Sequence, residues 1–127
     1  MSLDITPVTA PGRQVIQRYG GGGFRIAGIS FLSSVLVMAE SSVAWPVTRP
    51  ADITLESLQP LFADEFPVGI VLIGCGAKFT APPKDLRAGL KAQGAVLEWM
   101  DTGAACRTLN VLLNEERQVM AALIAVD

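Results

Sequence analysis

A Gly-Cys-Gly triplet at residues 74–76, followed closely by a lysine, offers the best-placed chemistry in this sequence. Glycine-rich turns expose backbone N–H groups, and such groups together with a cation can hold an anion or a carbonyl-rich group. The triplet ends an apolar run at residues 68–73, and ligands gather at strand ends in open α/β sheets. Two donors in a later predicted helix complete the candidate site. The candidate ligand-binding residues are Gly74, Cys75, Gly76, Lys78, Arg107 and Asn110.

Other readings of the same residues compete with ligand binding. The triplet resembles the start of a dinucleotide fingerprint, but Phe79 stands where the third glycine belongs, and a tight structural turn is favoured. Cys75 has only Lys78 as a positive neighbour that could activate its thiol. Cys106 shares an apolar helical stripe, which favours an inert, buried thiol. Asn110 either binds a ligand or ties its helix to a neighbouring segment, and the sequence leaves both open.

The composition excludes several chemistries. The chain of 127 residues has no histidine, which removes Ser-His-Asp and Cys-His catalysis and histidine-ligated metals. Its acidic residues form no paired-carboxylate pattern, and its two cysteines have no pairing pattern. The net charge is −2 and no basic run occurs, so nucleic acid is not an expected partner. We therefore expect binding rather than catalysis, with no metal and no cofactor.

The elements that position these residues change character halfway along the chain. We expect a single α/β domain over residues 1–127, with an irregular arm at 1–12. The first half predicts a meander of short antiparallel strands, with a glycine turn at 20–23. The second half predicts alternating helices and strands, the pattern of crossover units in a mixed sheet with helices packed on it. Predicted strands cover 13–19, 24–27, 29–31, 35–39, 43–45, 68–73, 95–100 and 119–126, and predicted helices 54–62, 83–94 and 102–115.

Details of the second half extend these predictions. The run at 68–73 has no polar alternation, so it is expected to be a buried central strand, with Gly69 and Ile70 among its buried residues. Thr102 is expected to cap the last helix. No apolar stretch approaches the roughly 20 residues that a membrane span needs, and no secretory signal is apparent. The expected location is the cytoplasm.

Five short motifs occur in an order and spacing that point to a family. They are Tyr19-Gly20 with Gly23-Phe24-Arg25-Ile26 and Gly28; Val43-Ala44-Trp45-Pro46; Ile73-Gly74-Cys75-Gly76; Ala105-Cys106-Arg107-Thr108-Leu109-Asn110; and Val119-Met120-Ala121-Ala122-Leu123-Ile124. Together they resemble the domain-of-unknown-function family that includes the adipogenesis-associated domain protein and mitochondrial respiratory complex I assembly factor three. The resemblance covers nearly the whole chain after the first dozen residues. Two positions depart from the family pattern: Cys75, where the family often has another residue, and Leu109, where the family usually has an aromatic residue just before the asparagine.

The resemblance implies a fold and a class of function. It implies a three-layer α/β domain with a mixed central sheet, an N-terminal β meander and helices packed on the sheet. It implies no established enzymatic activity, and a protein partner of the kind met in building the respiratory NADH dehydrogenase. The leading hypothesis is a non-enzymatic protein-interaction module, in the cytoplasm or at the inner membrane through a partner. The alternative is a small-molecule or anion-binding domain with its site at the 74–76 loop.

Overall fold

The computed structural model describes residues 3–4, 13–63 and 67–127. Within those ranges two β-sheets combine with two α-helices and two short 3₁₀ helices. Apart from Leu3–Asp4, the arm expected at 1–12 lies outside the described residues. The elements are β1 Leu3–Asp4, β2 Ile16–Gly20, β3 Gly23–Ile26, β4 Ile29–Phe31, β5 Ser34–Val37, β6 Ser42–Trp45, the 3₁₀ helices Pro50–Asp52 and Glu56–Phe62, β7 Ile70–Gly74, α1 Leu86–Ala92, β8 Val96–Met100, α2 Thr102–Asn114 and β9 Val119–Leu123.

The small sheet, in the order β1-β2-β3-β4, is antiparallel and contains two tight hairpins. The first hairpin turns at Gly21 and Gly22, whose φ angles are +63° and +84°. The second turns at Ala27 and Gly28, with φ angles of +48° and +84°. Two successive left-handed residues match the twist of the flanking strands, and glycine adopts that conformation without Cβ strain. The predicted turn at 20–23 is confirmed.

A β-bulge interrupts the alternation predicted for residues 13–19. The register between β2 and β3 shifts between Ile16 and Arg18. A strict period of two places Ile16 and Tyr19 on opposite faces, yet both are buried. The extra residue of the bulge turns both side chains toward the same core. The regular two-face pattern is therefore wrong at this point.

The large sheet is mixed and has the order β6-β5-β9-β7-β8. The strand β7 runs parallel to both β8 and β9, whereas β5 runs antiparallel to β6 and β9. The predicted mixed sheet is confirmed. Because β5 and β6 belong to this sheet, the predicted N-terminal meander is divided between two sheets. Pro46 follows β6, which is an edge strand, as expected from the missing amide donor of proline.

The middle of the large sheet is β9, and all five of its residues are buried. The run predicted to be central forms β7, which lies beside β9 in the sheet interior. Val71 and the three residues after it are buried, but Gly69 and Ile70 are only half-buried. These two residues lie where the chain enters the sheet, so the burial predicted for them is only partial.

Side chains from the two faces of the large sheet form two hydrophobic cores. One face packs against α1 and the 3₁₀ helix Glu56–Phe62, and its core includes Leu36, Leu58, Leu61, Val71, Ile73, Leu86, Leu90, Leu97 and Met120. The other face packs against α2 and the small sheet, and its core includes Ile16, Phe24, Ile26, Val35, Leu72, Ala105, Leu109 and Leu123. The structure is therefore a three-layer α/β domain with a mixed central sheet, as expected.

The helices differ from the predicted ones in extent and type. The helix α1 begins at Leu86 rather than at Pro83, because Asp85 before it is left-handed, with a φ angle of +70°. Gly94, with a φ angle of +86°, ends the helical segment as predicted. The helix expected near residues 54–62 is a 3₁₀ helix with Pro60 inside it. No helix of the described ranges is long and apolar enough to cross a bilayer.

Candidate functional site

The predicted loop at 74–76 closes the C-terminal end of β7 against the first turn of α2. A Cβ atom at Gly74 would lie 2.9 Å from the Cα atom of Thr102 and 3.2 Å from the Cβ atom of Ala105. Gly76 has a φ angle of +116°, a conformation that favours glycine. Both glycines are thus explained by close packing and backbone geometry.

The side chain of Thr102 holds this loop in place. Its hydroxyl donates to the carbonyl oxygen of Ile124 at 2.7 Å and accepts the Gly76 N–H at 3.0 Å. The Thr102 N–H in turn donates to the Gly76 carbonyl oxygen at 2.9 Å. Thr102 is completely buried. Its hydroxyl therefore joins the loop after β7, the helix α2 and the segment after β9. The prediction that Thr102 caps the helix is wrong.

Asp101 caps α2 instead. Its Oδ1 atom accepts the Ala104 N–H at 2.9 Å, and its negative charge lies at the positive end of the helix dipole. In the loop itself the Cys75 N–H donates to the Met100 carbonyl oxygen at 2.8 Å. The Cys75 and Gly76 amides therefore have partners within the protein, as do the Thr102 and Ala104 amides in the first turn of α2. An anion at this loop would depend on Lys78 and not on these amides.

A cavity of about 330 Å³ lies beside the predicted loop. Cys75, Gly76 and the exposed Lys78 line it on one side, and residues 124–127 line it on another. Arg107 and Asn110 are not among its lining residues. The structure thus brings the loop and Lys78 together and separates the two helical donors from them. Ligand binding at the loop stays a prediction from the sequence.

The two helical donors contact the small sheet. The Arg107 guanidinium donates to the Tyr19 hydroxyl at 2.9 Å. The Asn110 Nδ2 atom donates to the Ile16 carbonyl oxygen, and its Oδ1 atom accepts the Ile16 N–H, both at 2.9 Å. Asn110 therefore pairs with a backbone residue as a neighbouring strand would, beside the bulge in β2. Of the two roles left open for Asn110, the structure shows the tie between segments.

The two thiols are free and buried. Burial raises the pKa of Cys106 to about 12, with a smaller opposing effect from the Arg107 charge. The Cys75 thiol lies 3.5 Å from the Lys78 carbonyl oxygen and donates to it. Thiolates are the reactive form of cysteine, so the structure gives neither side chain the exposure that a nucleophile needs. No group of three or more metal-ligating side chains occurs in the described part of the chain.

We expect neither thiol of the native protein to react with Ellman's reagent at pH 8, and both to react in denaturant. Because the folded pKa of Cys106 lies above its unfolded value of 9.0, deprotonation favours the unfolded state as the pH rises above about 9. In alkaline solution the Cys106 thiol should therefore become more accessible as the free energy of unfolding falls. The Cys75→Ser variant isolates the signal of Cys106. Rapid labelling of that variant at pH 8 would contradict the burial described here.

The geometry defines a three-layer α/β domain in which most of the predicted site residues form internal hydrogen bonds. A family model described as a protein of unknown function, DUF498/DUF598, matches residues 16–124. The chain belongs to this family.

Named relatives and solved structures agree with that assignment. The chain is 32% identical to the NADH dehydrogenase [ubiquinone] 1 alpha subcomplex assembly factor 3 of Danio rerio, over 97% of this chain and 71% of that protein. Its fold is similar to that of an outer membrane protein from Bartonella henselae, with 37% identity and a TM-score of 0.83 over 92% of this chain and 98% of that one. It is also similar to a Mth938-like domain from Bordetella pertussis, with 29% identity and a TM-score of 0.76 over 97% and 92% of the two chains.

Proposed function

We propose that this protein is a non-enzymatic protein-binding module that assists assembly of the respiratory NADH dehydrogenase. One observation carries the proposal: the chain is 32% identical to the assembly factor of Danio rerio over 97% of its own length. The match extends over both sheets and both α-helices, so the comparison involves the whole domain and not one motif. We propose that the protein acts in the cytoplasm and that its partner brings it to the inner membrane.

The internal hydrogen bonds support a binding role over a catalytic one. Three polar groups of α2 illustrate this: the Thr102 hydroxyl, the Asn110 amide and the Cys106 thiol. The first two hold backbone groups of distant segments, and the third is kept protonated by burial. Groups engaged in this way stabilise the fold and are poorly placed to react with a substrate.

Phe79 is the side chain best suited to contact a protein partner. It is 64% exposed, although it lies in a loop fixed on both sides. The Cys75 thiol binds the carbonyl of Lys78 before it, and the Trp99 indole N–H donates to the carbonyl of Thr80 after it at 2.6 Å. A loop that is already fixed in place loses little conformational entropy on binding, and phenylalanine is enriched in protein interfaces.

Deletion of the gene in the native host tests the proposal. We expect assembled NADH dehydrogenase, measured on blue-native gels, to fall severalfold, and a tagged wild-type copy to restore it and co-purify enzyme subunits. A Phe79→Ala copy is expected to fold but to restore assembly poorly. Val111→Ala is a matched control, because Val111 is also exposed, at 56%, on a different element. Normal assembly in the deletion strain would refute the proposed function.

A further inference from the structure

Another cavity, of about 310 Å³, lies at the end of the large sheet opposite the 74–76 loop. It is bordered by the end of α2, the start of β9 and the residue Pro67 before β7. Its apolar lining residues are Ala39, Pro67, Leu113, Val119 and Met120. Ligand-binding pockets have volumes of about 300–1000 Å³ and a mostly apolar lining with a few polar groups. We call this feature the β9 cavity.

The charged residue Arg13 lines the β9 cavity with an incompletely paired guanidinium group. Its Nη2 atom donates to the Oε1 atom of Glu116 at 3.1 Å, and within the described residues this is its only partner. The Arg13 side chain is only 26% exposed. Every fully buried side-chain nitrogen in the described ranges has a partner, so the remaining donors of Arg13 are accessible. They are available to an acceptor that enters the cavity.

A second arginine gives the rim of the β9 cavity an excess of positive charge. Arg117 also lines the cavity, is exposed, and has no side-chain hydrogen bond or ion pair to any described residue. Two arginines and one glutamate leave the rim with one positive charge in excess. A ligand with a single negative charge balances this rim. A phosphate monoester carries about −1.5 to −2 and would be repelled more strongly by Glu116.

Glu116 holds Arg13 from a backbone position that glycine usually occupies. The helix α2 ends in a Schellman motif, in which the Glu116 N–H donates to the Leu113 carbonyl oxygen at 3.0 Å. The Arg117 N–H donates to the Leu112 carbonyl oxygen, also at 3.0 Å. Glu116 has a φ angle of +59°, which is strained for a residue with a Cβ atom. The chain thus keeps a carboxylate at this rim in spite of the backbone cost, and the carboxylate holds one side of the Arg13 guanidinium.

We propose that the β9 cavity binds a small monocarboxylate with an apolar body, of the class of short fatty acids. The ligand carboxylate accepts N–H groups from Arg13 and Arg117 at the rim, because a guanidinium fork matches its two oxygens. The hydrocarbon body packs against the apolar lining and is removed from water. The proposal goes beyond the proposed function, which concerns a protein partner and does not involve a small molecule.

Titration of the purified protein with acetate, hexanoate and hexanol, followed by amide chemical shifts, tests the proposal. We expect hexanoate to bind saturably and to shift the amides of residues 113–120. Each buried methylene favours binding about threefold, so acetate should bind at least about tenfold more weakly. Hexanol lacks the charge that pairs with the arginines and should also bind about tenfold more weakly. Equal affinities for the three compounds, no saturable binding, or shifts centred on residues 74–78 would overturn the proposal.

Arginine variants assign the binding to this rim. Arg13→Gln and Arg117→Gln are each expected to weaken hexanoate binding about fivefold, since each removes a charged donor. Arg49→Gln is the matched control, because Arg49 is also paired with a carboxylate, that of Asp52 at 3.1 Å, and does not line the cavity. We expect Arg49→Gln to bind hexanoate normally. Equal losses in all three variants would overturn the proposal.

Glu116→Gln is expected to have the opposite effect. The amide oxygen of glutamine can still accept from Arg13, but the negative charge that repels a bound carboxylate is gone. We therefore expect hexanoate to bind about threefold more tightly and hexanol to bind as it does to the wild type. Unchanged or weaker binding of hexanoate by this variant would contradict a carboxylate at the rim and overturn the proposal.

The outcomes also separate this inference from the proposed function. If hexanoate binding follows the expected pattern while the deletion strain assembles its NADH dehydrogenase normally, the ligand site stands and the assembly function fails. If the deletion strain loses the enzyme while the purified protein binds none of the three compounds, the assembly function stands and the ligand site is wrong.

Discussion

An Ile73→Asp substitution is expected to unfold the protein. Ile73 is fully buried in β7, which has strands on both sides, and its side chain lies in the core that also contains Leu90 and Leu97. A carboxylate there has no partner: losing the buried isoleucine side chain costs about 2–5 kcal/mol, and the buried charge adds several kcal/mol. Since domains of this size are stable by only about 5–15 kcal/mol, we expect no cooperative thermal transition by circular dichroism.

A matched substitution on the neighbouring strand provides the control. Val96 begins β8, pairs in register with Ile70 of β7 and is 57% exposed. Val96→Asp adds the same charge to the same sheet, but in contact with water, so we expect a loss of no more than about 1 kcal/mol. A cooperative melt of Ile73→Asp near the wild-type temperature would contradict the placement of β7 in the sheet interior.

The apolar patterns that predicted the large sheet are local, and this explains why they succeeded. The strands β7 and β8 and the helix α2 each have an apolar run or an apolar periodicity that is long enough to identify the element from one sequence. Two parallel strands bring the 74–76 loop and the first turn of α2 to the same edge of the sheet, as expected. The neighbourhood of the candidate site could therefore be predicted.

The hydrogen bonds within that neighbourhood could not be predicted, because they depend on distant residues. Asp101 and Thr102 are adjacent and both are good capping residues. The Gly76 amide and the Ile124 carbonyl bind the threonine hydroxyl, and this leaves the cap to Asp101. Only the tertiary structure decides between two such neighbours.

The separation of Arg107 and Asn110 from the 74–76 loop could not be predicted for the same reason, because it depends on distant residues. Arg107 and Asn110 are polar residues on a helix, and their spacing does not indicate which neighbour they face. The Asn110 side chain pairs with the backbone of Ile16, 94 residues earlier in the chain. The bulge that follows Ile16 is a register shift with no clear sequence signal in β2.

Thr102→Val is expected to destabilise the protein by about 3 kcal/mol. Valine has nearly the same shape and a similar helix propensity, so the change removes the hydroxyl and little else. The part-buried Gly76 N–H and the buried Ile124 carbonyl oxygen then each lose a hydrogen-bond partner. A buried polar group without a partner costs about 1–3 kcal/mol. Urea unfolding should show a lower midpoint with an unchanged slope.

Thr102→Ser separates the hydroxyl from the methyl group. Serine keeps both hydrogen bonds and loses one buried methyl, so we expect a loss of only about 1 kcal/mol. Amide hydrogen exchange gives a local readout, because the Gly76 amide should exchange faster in Thr102→Val than in Thr102→Ser. If the valine variant were as stable as the wild type, the hydroxyl would not be what joins β7, α2 and the segment after β9. The order of stability, wild type above serine above valine, is the specific signature of a hydroxyl that holds the loop.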